Sequence, residues 1–295
     1  MSISNDIKYK YNTLNVADRL IVINVAVYIL NTLAVALFQL RPDFFMRWFE
    51  LPKGFGDFIT QPWSVITYAF FHGGLSHIFW NMLLLYFSGR IFLSLFGGRR
   101  FLNVYFLGAI AGGVIFMLSY NIFPAFSGVN TSLIGASAAV MAILIFVCTY
   151  MPNQEVRLFF LFNVKLWYIG LGVVLIDLVQ IPISNAGGHL AHLGGALLGY
   201  VYARKLYDGK DIGTGFERMV SAVVNLFKKR QDKPFKTVHR NRGTKAGTAS
   251  SVNYSQSGDD RQKKIDSILD KISKSGYESL TREEKDFLFK AGKED

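Results

Sequence analysis

Between residues 20 and 207 the chain alternates long apolar runs with short polar or aromatic connections. The runs cover residues 20–40, 76–96, 101–121, 133–150, 158–181 and 189–206, and a helix needs about 20 mostly apolar residues to cross the hydrocarbon of a bilayer. This pattern predicts six transmembrane helices. Glycines recur inside the runs, at Gly108, Gly112, Gly113, Gly195 and Gly199. Small residues let helices approach closely where lipid supplies no hydrophobic drive for association, so the helices are expected to pack as a bundle. The connection over residues 41–75 is aromatic, with Phe44, Phe45, Trp48, Phe49, Phe55 and Trp63, as a segment lying among lipid headgroups would be.

Beyond residue 207 the pattern changes. Residues 228–262 are rich in Lys, Arg, Ser, Gly and Thr, the composition of a chain that cannot bury enough apolar surface to fold. Ile265, Ile268, Leu269 and Ile272 then recur at helical spacing, Gly276 interrupts them, and Thr281 with Glu284 has the spacing of a capping box. The expected organisation is a cytosolic segment over 1–19, a membrane domain over 20–207, a basic flexible linker over 208–262 and a cytosolic helical hairpin over 263–295. The fold class is an all-α membrane protein carrying a small C-terminal hairpin. Nothing in the hairpin is reactive, so it reads as a stabilising appendage or a docking site for a partner.

Charge sets the orientation. Lys8, Lys10 and Arg19 precede the first run, Arg99 and Arg100 separate the second from the third, Arg157 stands before the fifth, and Arg204 and Lys205 end the sixth. All fall on one side if both termini are cytoplasmic, and the connections over 122–132 and 182–188 carry no charge. The net charge of +11 therefore points to anionic lipid headgroups rather than nucleic acid. The charged share of 18% lies below the roughly 25% of a soluble domain. A single cysteine, Cys148, excludes an intrachain disulfide and a cysteine-based metal cluster. The first run is a full span long and lacks a small-residue cleavage site, so it reads as a mature helix rather than a leader. A bacterial inner membrane is the expected setting.

Polar groups inside membrane helices are costly, so each needs a partner or a function. His77 and Asn81 in the second run, Ser137 in the fourth and His192 in the sixth all lie near the outer ends of inward-running helices, roughly 5–12 Å down at 1.5 Å per residue. They converge on one depth. A serine hydroxyl becomes nucleophilic when a neighbouring base takes its proton, and imidazole is suited to that role near neutral pH. Ser137 and His192 therefore suggest a catalytic dyad. His77, the Asn81 amide and the backbone N–H of Ser137 are candidate donors to an oxyanion. Taken singly, a membrane serine more often bonds the carbonyl one turn back, as expected for Ser88, Ser94 and Ser119, and a membrane histidine is more often structural, as His72 would be if it tied the first loop to the bundle. His189 and His192, at i and i+3, raise the alternative of a metal. With no carboxylate or cysteine evident beside them, however, its ligands would have to come from His72, His77, His189 and His192. No metal or cofactor is expected. Asp177 would either orient a histidine or snorkel to the interface, and it is not assigned to catalysis.

These residues resemble the rhomboid intramembrane serine proteases. The resemblance rests on His72-Gly73-Gly74-Leu75-Ser76-His77-Ile78-Phe79-Trp80-Asn81, on Gly135-Ala136-Ser137-Ala138, and on Ala191-His192-Leu193-Gly194-Gly195-Ala196-Leu197-Leu198-Gly199, and covers about residues 15–207. It implies Ser137 as nucleophile, His192 as general base, His77 and Asn81 as oxyanion donors, and His72 as a supporting cavity residue. Gly195 and Gly199 would bring the sixth span against the fourth. It also implies cleavage of single-span membrane proteins in or near their membrane segment, with a lateral entrance between the second and fifth spans. Two positions depart from the family pattern: Ala138 stands where Gly-x-Ser-Gly has its last glycine, and Trp63 is followed by Ser64 where many bacterial members have Trp-Arg. A catalytically inactive relative that binds transmembrane segments, and a transporter lined by the same polar residues, remain as alternatives.

Overall fold

The computed structural model describes residues 5, 9, 11–158, 162–227 and 257–291. They form two compact units, residues 1–230 and 231–295.

In the first unit, helix α1 (Val16–Leu37) starts where the Asn15 side chain accepts the backbone N–H of Asp18, an N-cap that moves the start ahead of the apolar run. The aromatic connection folds into short pieces, among them β1 (Leu51–Pro52), α2 (Phe55–Thr60) and α3 (Ser64–Thr67). Two long helices follow, α4 (Leu75–Leu95) and α5 (Gly98–Ile122), then β2 (Ser132–Leu133) and α6 (Ser137–Tyr150). The strands β3 (Glu155–Leu158) and β4 (Phe162–Lys165) lead to α7 (Leu166–Gln180), α8 (Ala186–Tyr207) and α9 (Gly213–Phe227). By length and composition α1, α4 and α5 are long and apolar enough to cross a membrane, whereas α6 and α7 are apolar but shorter.

Helix α6 is the core. Every residue from Ala138 to Cys148 is buried, as expected for a helix that is apolar on all sides. Its neighbours approach through glycines. A Cβ on Gly112 of α5 would meet the Ala138 side chain, and a Cβ on Gly195 or Gly199 of α8 would run into the backbone carbonyls of Ala138 and Ala142. The α8 backbone thus lies directly against the α6 backbone, which fixes the relative height of residues on the two helices. The methyl of Ala138 occupies the space left open at Gly112.

The structure corrects three boundaries. The fourth run was expected to be helical from residue 133, but Leu133 pairs with Leu51 and Ser132 with Pro52 in an antiparallel β-bridge, and α6 begins only at Ser137. The fifth was expected to be helical from residue 158, yet Glu155–Leu158 and Phe162–Lys165 form a hairpin in which Val156 faces Val164 and Glu155 faces Lys165. β-Branched and opposite-charge cross-strand pairs favour that arrangement. The linker expected over 208–262 contains α9, where Phe216, Met219, Val220, Val223 and Val224 recur on one helical face. Asp211 anchors the approach to α9: it accepts from Arg100 Nε at 2.9 Å, Tyr202 Oη at 2.5 Å and the Gly213 N–H at 3.0 Å. Asn103 donates to Glu217 at 2.7 Å. Residues 228–256 of that linker, residues 1–4, 6–8 and 10 of the N-terminal segment and residues 292–295 of the hairpin lie outside the described residues.

The second unit contains α10 (Ser257–Ser275) and α11 (Arg282–Ala291). Gly276 turns the chain between them at φ +76°, a left-handed conformation that glycine adopts without strain. Thr281 and Glu284 form the capping box: the Thr281 N–H donates to Glu284 Oε2 at 2.8 Å and the Glu284 N–H to Thr281 Oγ1 at 3.3 Å. Lys271 of α10 holds the same carboxylate at 2.9 Å. Ile268 and Leu280 are buried.

Candidate active site

The late start of α6 determines where its serine stands. Ser137 is the first residue of the helix, at the end where backbone N–H groups lack helical partners and the macrodipole is positive. The turn that leads into it is held by the first loop: the Gly135 N–H donates to the Tyr68 carbonyl at 2.9 Å and the Ala136 N–H to His72 Nε2 at 3.4 Å. His72 is buried, and burial, followed by repulsion from His77, pushes its pKa down to about 4. A neutral ring keeps the lone pair that accepts from Ala136. His72 thus connects the first loop to the serine turn.

His77 lies in the first turn of α4. Its Nδ1 accepts from the Gly73 N–H at 3.4 Å, so a neutral His77 carries its proton on Nε2. That nitrogen faces Gly135: a Cβ there would lie 2.5 Å from it. Gly135 has φ +114°, so the position excludes a side chain both by conformation and by space. One turn further along α4, Asn81 donates to the His77 carbonyl at 3.0 Å, and its amide retains a second N–H.

Ser137, His192, His77 and Asn81 all line one cavity of about 500 Å³, together with Ser76, Trp80, Met141 and others. It gathers serine hydroxyls, two imidazoles and two carboxamides at the N-terminus of a buried helix.

Sequence reasoning left out one residue. Asp177 of α7 does not snorkel. It is 5% exposed, and its Oδ1 lies 2.7 Å from His189 Nδ1 and 2.8 Å from His192 Nδ1. A carboxylate therefore does stand beside the two histidines, contrary to the expectation that none would. The three residues have the composition of a metal site, with ligand atoms within 4.8 Å of one another. Their spacing favours hydrogen bonds instead, because ligands about 2.0–2.1 Å from a tetrahedral zinc stand about 3.3 Å apart, whereas the two separations here have the length of charge-assisted hydrogen bonds. Periodicity carries no signal for this contact, since it joins two helices across a turn.

The fold and the cavity define a helical membrane protein with polar groups gathered in its interior at one end of a central helix. The family pattern described as "Rhomboid domain" matches residues 60–209, about half of the 295-residue chain; the chain belongs to the rhomboid family. A pattern for a family of unknown function matches residues 252–291, which include the second unit's hairpin. Among curated proteins, the chain is similar to Rhomboid protein 1, mitochondrial, of Saccharomyces cerevisiae, with 30% identity over 229 residues that cover 74% of this chain and 60% of that protein. It is also similar to RHOMBOID-like protein 12, mitochondrial, of Arabidopsis thaliana, with 29% identity over 158 residues, 50% of this chain and 47% of that one. Presenilin-associated rhomboid-like protein A, mitochondrial, of Danio rerio shares 30% identity over 161 residues, 48% and 37% of the two chains. The chain thus spans between about a third and three fifths of the length of these relatives.

Proposed function

We propose that the chain is an intramembrane serine endopeptidase that cuts single-span membrane proteins in or near their membrane segment, with Ser137 as nucleophile and His192 as general base. The observation that carries the proposal is that Ser137, His192, His77 and Asn81, contributed by three separate helices, line one cavity. Family membership gives the reaction class its context.

In this mechanism Ser137 Oγ bonds to the substrate carbonyl carbon as its proton passes to His192 Nε2, and the carbonyl electron pair becomes the oxyanion. The N–H on His77 Nε2, the free amide N–H of Asn81 and the N–H of Ser137 receive that charge, an arrangement effective in a site that excludes bulk water. Collapse breaks the C–N bond, and His192 gives its proton to the departing amine. Water then attacks the acyl-enzyme by the same route. A helical substrate must unwind to present a carbonyl, because its carbonyls are otherwise engaged in i to i+4 hydrogen bonds.

The proposed setting is six spans, with α6, α7 and α8 completing the bundle begun by α1, α4 and α5, and with the basic side and both termini in the cytoplasm of a bacterial cell. The names of the relatives place those proteins in mitochondria, so cysteine-accessibility mapping in a bacterial membrane tests the topology. The activity is tested by cleavage of a single-span reporter in liposomes. Wild type should cut it, and Ser137→Ala and His192→Ala should each lose at least about 10³-fold. If a folded wild type cuts no faster than Ser137→Ala, the chain is instead an inactive relative that holds membrane segments.

A further inference from the structure

The dyad needs its histidine in one of two tautomers. To take a proton from Ser137, His192 must present a lone pair on Nε2, so its own proton must reside on Nδ1. Neutral imidazole on its own does not enforce that choice, and its environment sets it.

The neighbour is Asp177. Its Oδ1 lies 2.8 Å from His192 Nδ1, and a carboxylate accepts hydrogen bonds but donates none unless protonated. The same oxygen lies 2.7 Å from His189 Nδ1. Asp177 is buried, so these imidazoles replace water around a charge that would otherwise be strongly disfavoured. His189 precedes His192 on the same helix, and Asp177 reaches both from α7. The carboxylate is thus held from two directions, with one imidazole facing the catalytic cavity and the other fixing the carboxylate's rotation.

We infer that Asp177 is a positioning residue that holds His192 in the Nδ1–H tautomer and stabilises its imidazolium during proton transfer, with His189 anchoring the carboxylate in place. The inference rests on His192 being the general base, and it extends the dyad by two residues that themselves touch no substrate.

The test begins with a measurement that needs neither variant nor substrate. In the full chain, ¹⁵N-labelled at its 5 histidines and reconstituted in bilayers, solid-state NMR reads the protonation of each ring nitrogen. The expected result for His192 is a protonated Nδ1 and an unprotonated Nε2; a proton on Nε2 overturns the proposal. Asp177→Ala should move His192 toward the Nε2–H form and lower kcat about 10²-fold while KM stays within about twofold, a loss within the range of general-base catalysis. Asp177→Asn, whose amide N–H can donate to Nδ1 and favour the Nε2–H form, should lose the tautomer and fall in kcat at least as far as Asp177→Ala. His189→Ala should retain the tautomer and lose about fivefold in kcat. If Asp177→Ala leaves both tautomer and kcat unchanged, Asp177 is only a packing residue. A wild type with the expected tautomer but no cleavage would overturn the protease reading and leave the tautomer assignment intact.

Discussion

Gly135 and His77 stand so close that a single added carbon would separate them: a Cβ on Gly135 would lie 2.5 Å from His77 Nε2 and 2.7 Å from its Cε1. The absence of a side chain at Gly135 therefore lets the imidazole lie against the turn that delivers Ser137. The positive φ of +114° at Gly135 adds a second requirement, since an L-residue in left-handed backbone costs about 1–2 kcal/mol.

Gly135→Ala should accordingly combine a fall in stability of about 1–2 kcal/mol with a larger loss of cleavage, at least about tenfold, because the displaced imidazole no longer faces the oxyanion. Thermal unfolding in detergent and reporter cleavage measure the two effects separately. Full activity in the folded variant would remove His77 from the proposed oxyanion site.

The glycines between α6 and α8 make a sharper mechanical prediction. Gly199→Val places a branched side chain against the Ala142 carbonyl and should cost about 1–3 kcal/mol through overpacking. Gly172 of α7 has open space around it, so Gly172→Ala should leave stability within about 0.5 kcal/mol. Parallel unfolding curves for the two variants give the comparison.

Asp211 links stability to pH. Burial alone would raise its pKa, but hydrogen bonds from Tyr202, Arg100 and the Gly213 N–H outweigh that and hold it below its ordinary value. A depressed carboxylate contributes stability that is fully present above the unfolded pKa and lost as pH falls through the folded one. Asp211→Asn should therefore destabilise the first unit by about 1–2 kcal/mol near neutral pH. The deficit should shrink once the pH drops below the usual carboxylate range. A constant deficit down to the most acidic pH at which the protein folds would contradict the linkage.

In the second unit, Thr281→Ala removes the hydroxyl that accepts the Glu284 N–H in the capping box and should cost about 1 kcal/mol. Hydrogen exchange on the full chain should then show the amides of the first turn of α11 opening about fivefold more often, with α10 less affected. The Glu284 carboxylate is held below its ordinary pKa by Lys271 and the Thr281 N–H, so the protection should also weaken on acidification.

Local signals were enough to identify several parts of this molecule. The apolar runs located α1, α4, α5 and α8 to within a few residues, and Thr281 with Glu284 announced a cap that depends only on neighbours three positions apart. Ser137, His192, His77 and Asn81 stood out because polar groups in apolar runs require an explanation. What stayed hidden depends on contacts distant in sequence. Leu133 leaves the helical pattern because Leu51 pairs with it, and an apolar residue reads the same in a strand as in a helix. The charged bond from Arg100 to Asp211 that anchors the approach to α9 joins residues 111 positions apart, so the composition around residue 208 suggested a linker. Asp177 was visible as an anomaly, but its two partners appear only once α7 and α8 are side by side.

That arrangement assigns the helices unequal roles. Ser137 and His192 sit on α6 and α8, whose backbones are pressed together at Gly195 and Gly199, so the two cannot drift apart without breaking the core. Asp177 arrives on α7, which turns Leu171, Leu175, Ile176, Leu178 and Val179 outward and exposed and touches α6 through Gly170 and Cys148. Any swing of α7 away from the bundle carries the carboxylate off both histidines at once. The carboxylate and the apolar outer face of α7 therefore move as one piece, and the hold on both histidines is only as firm as the seating of α7 at Gly170 and Cys148.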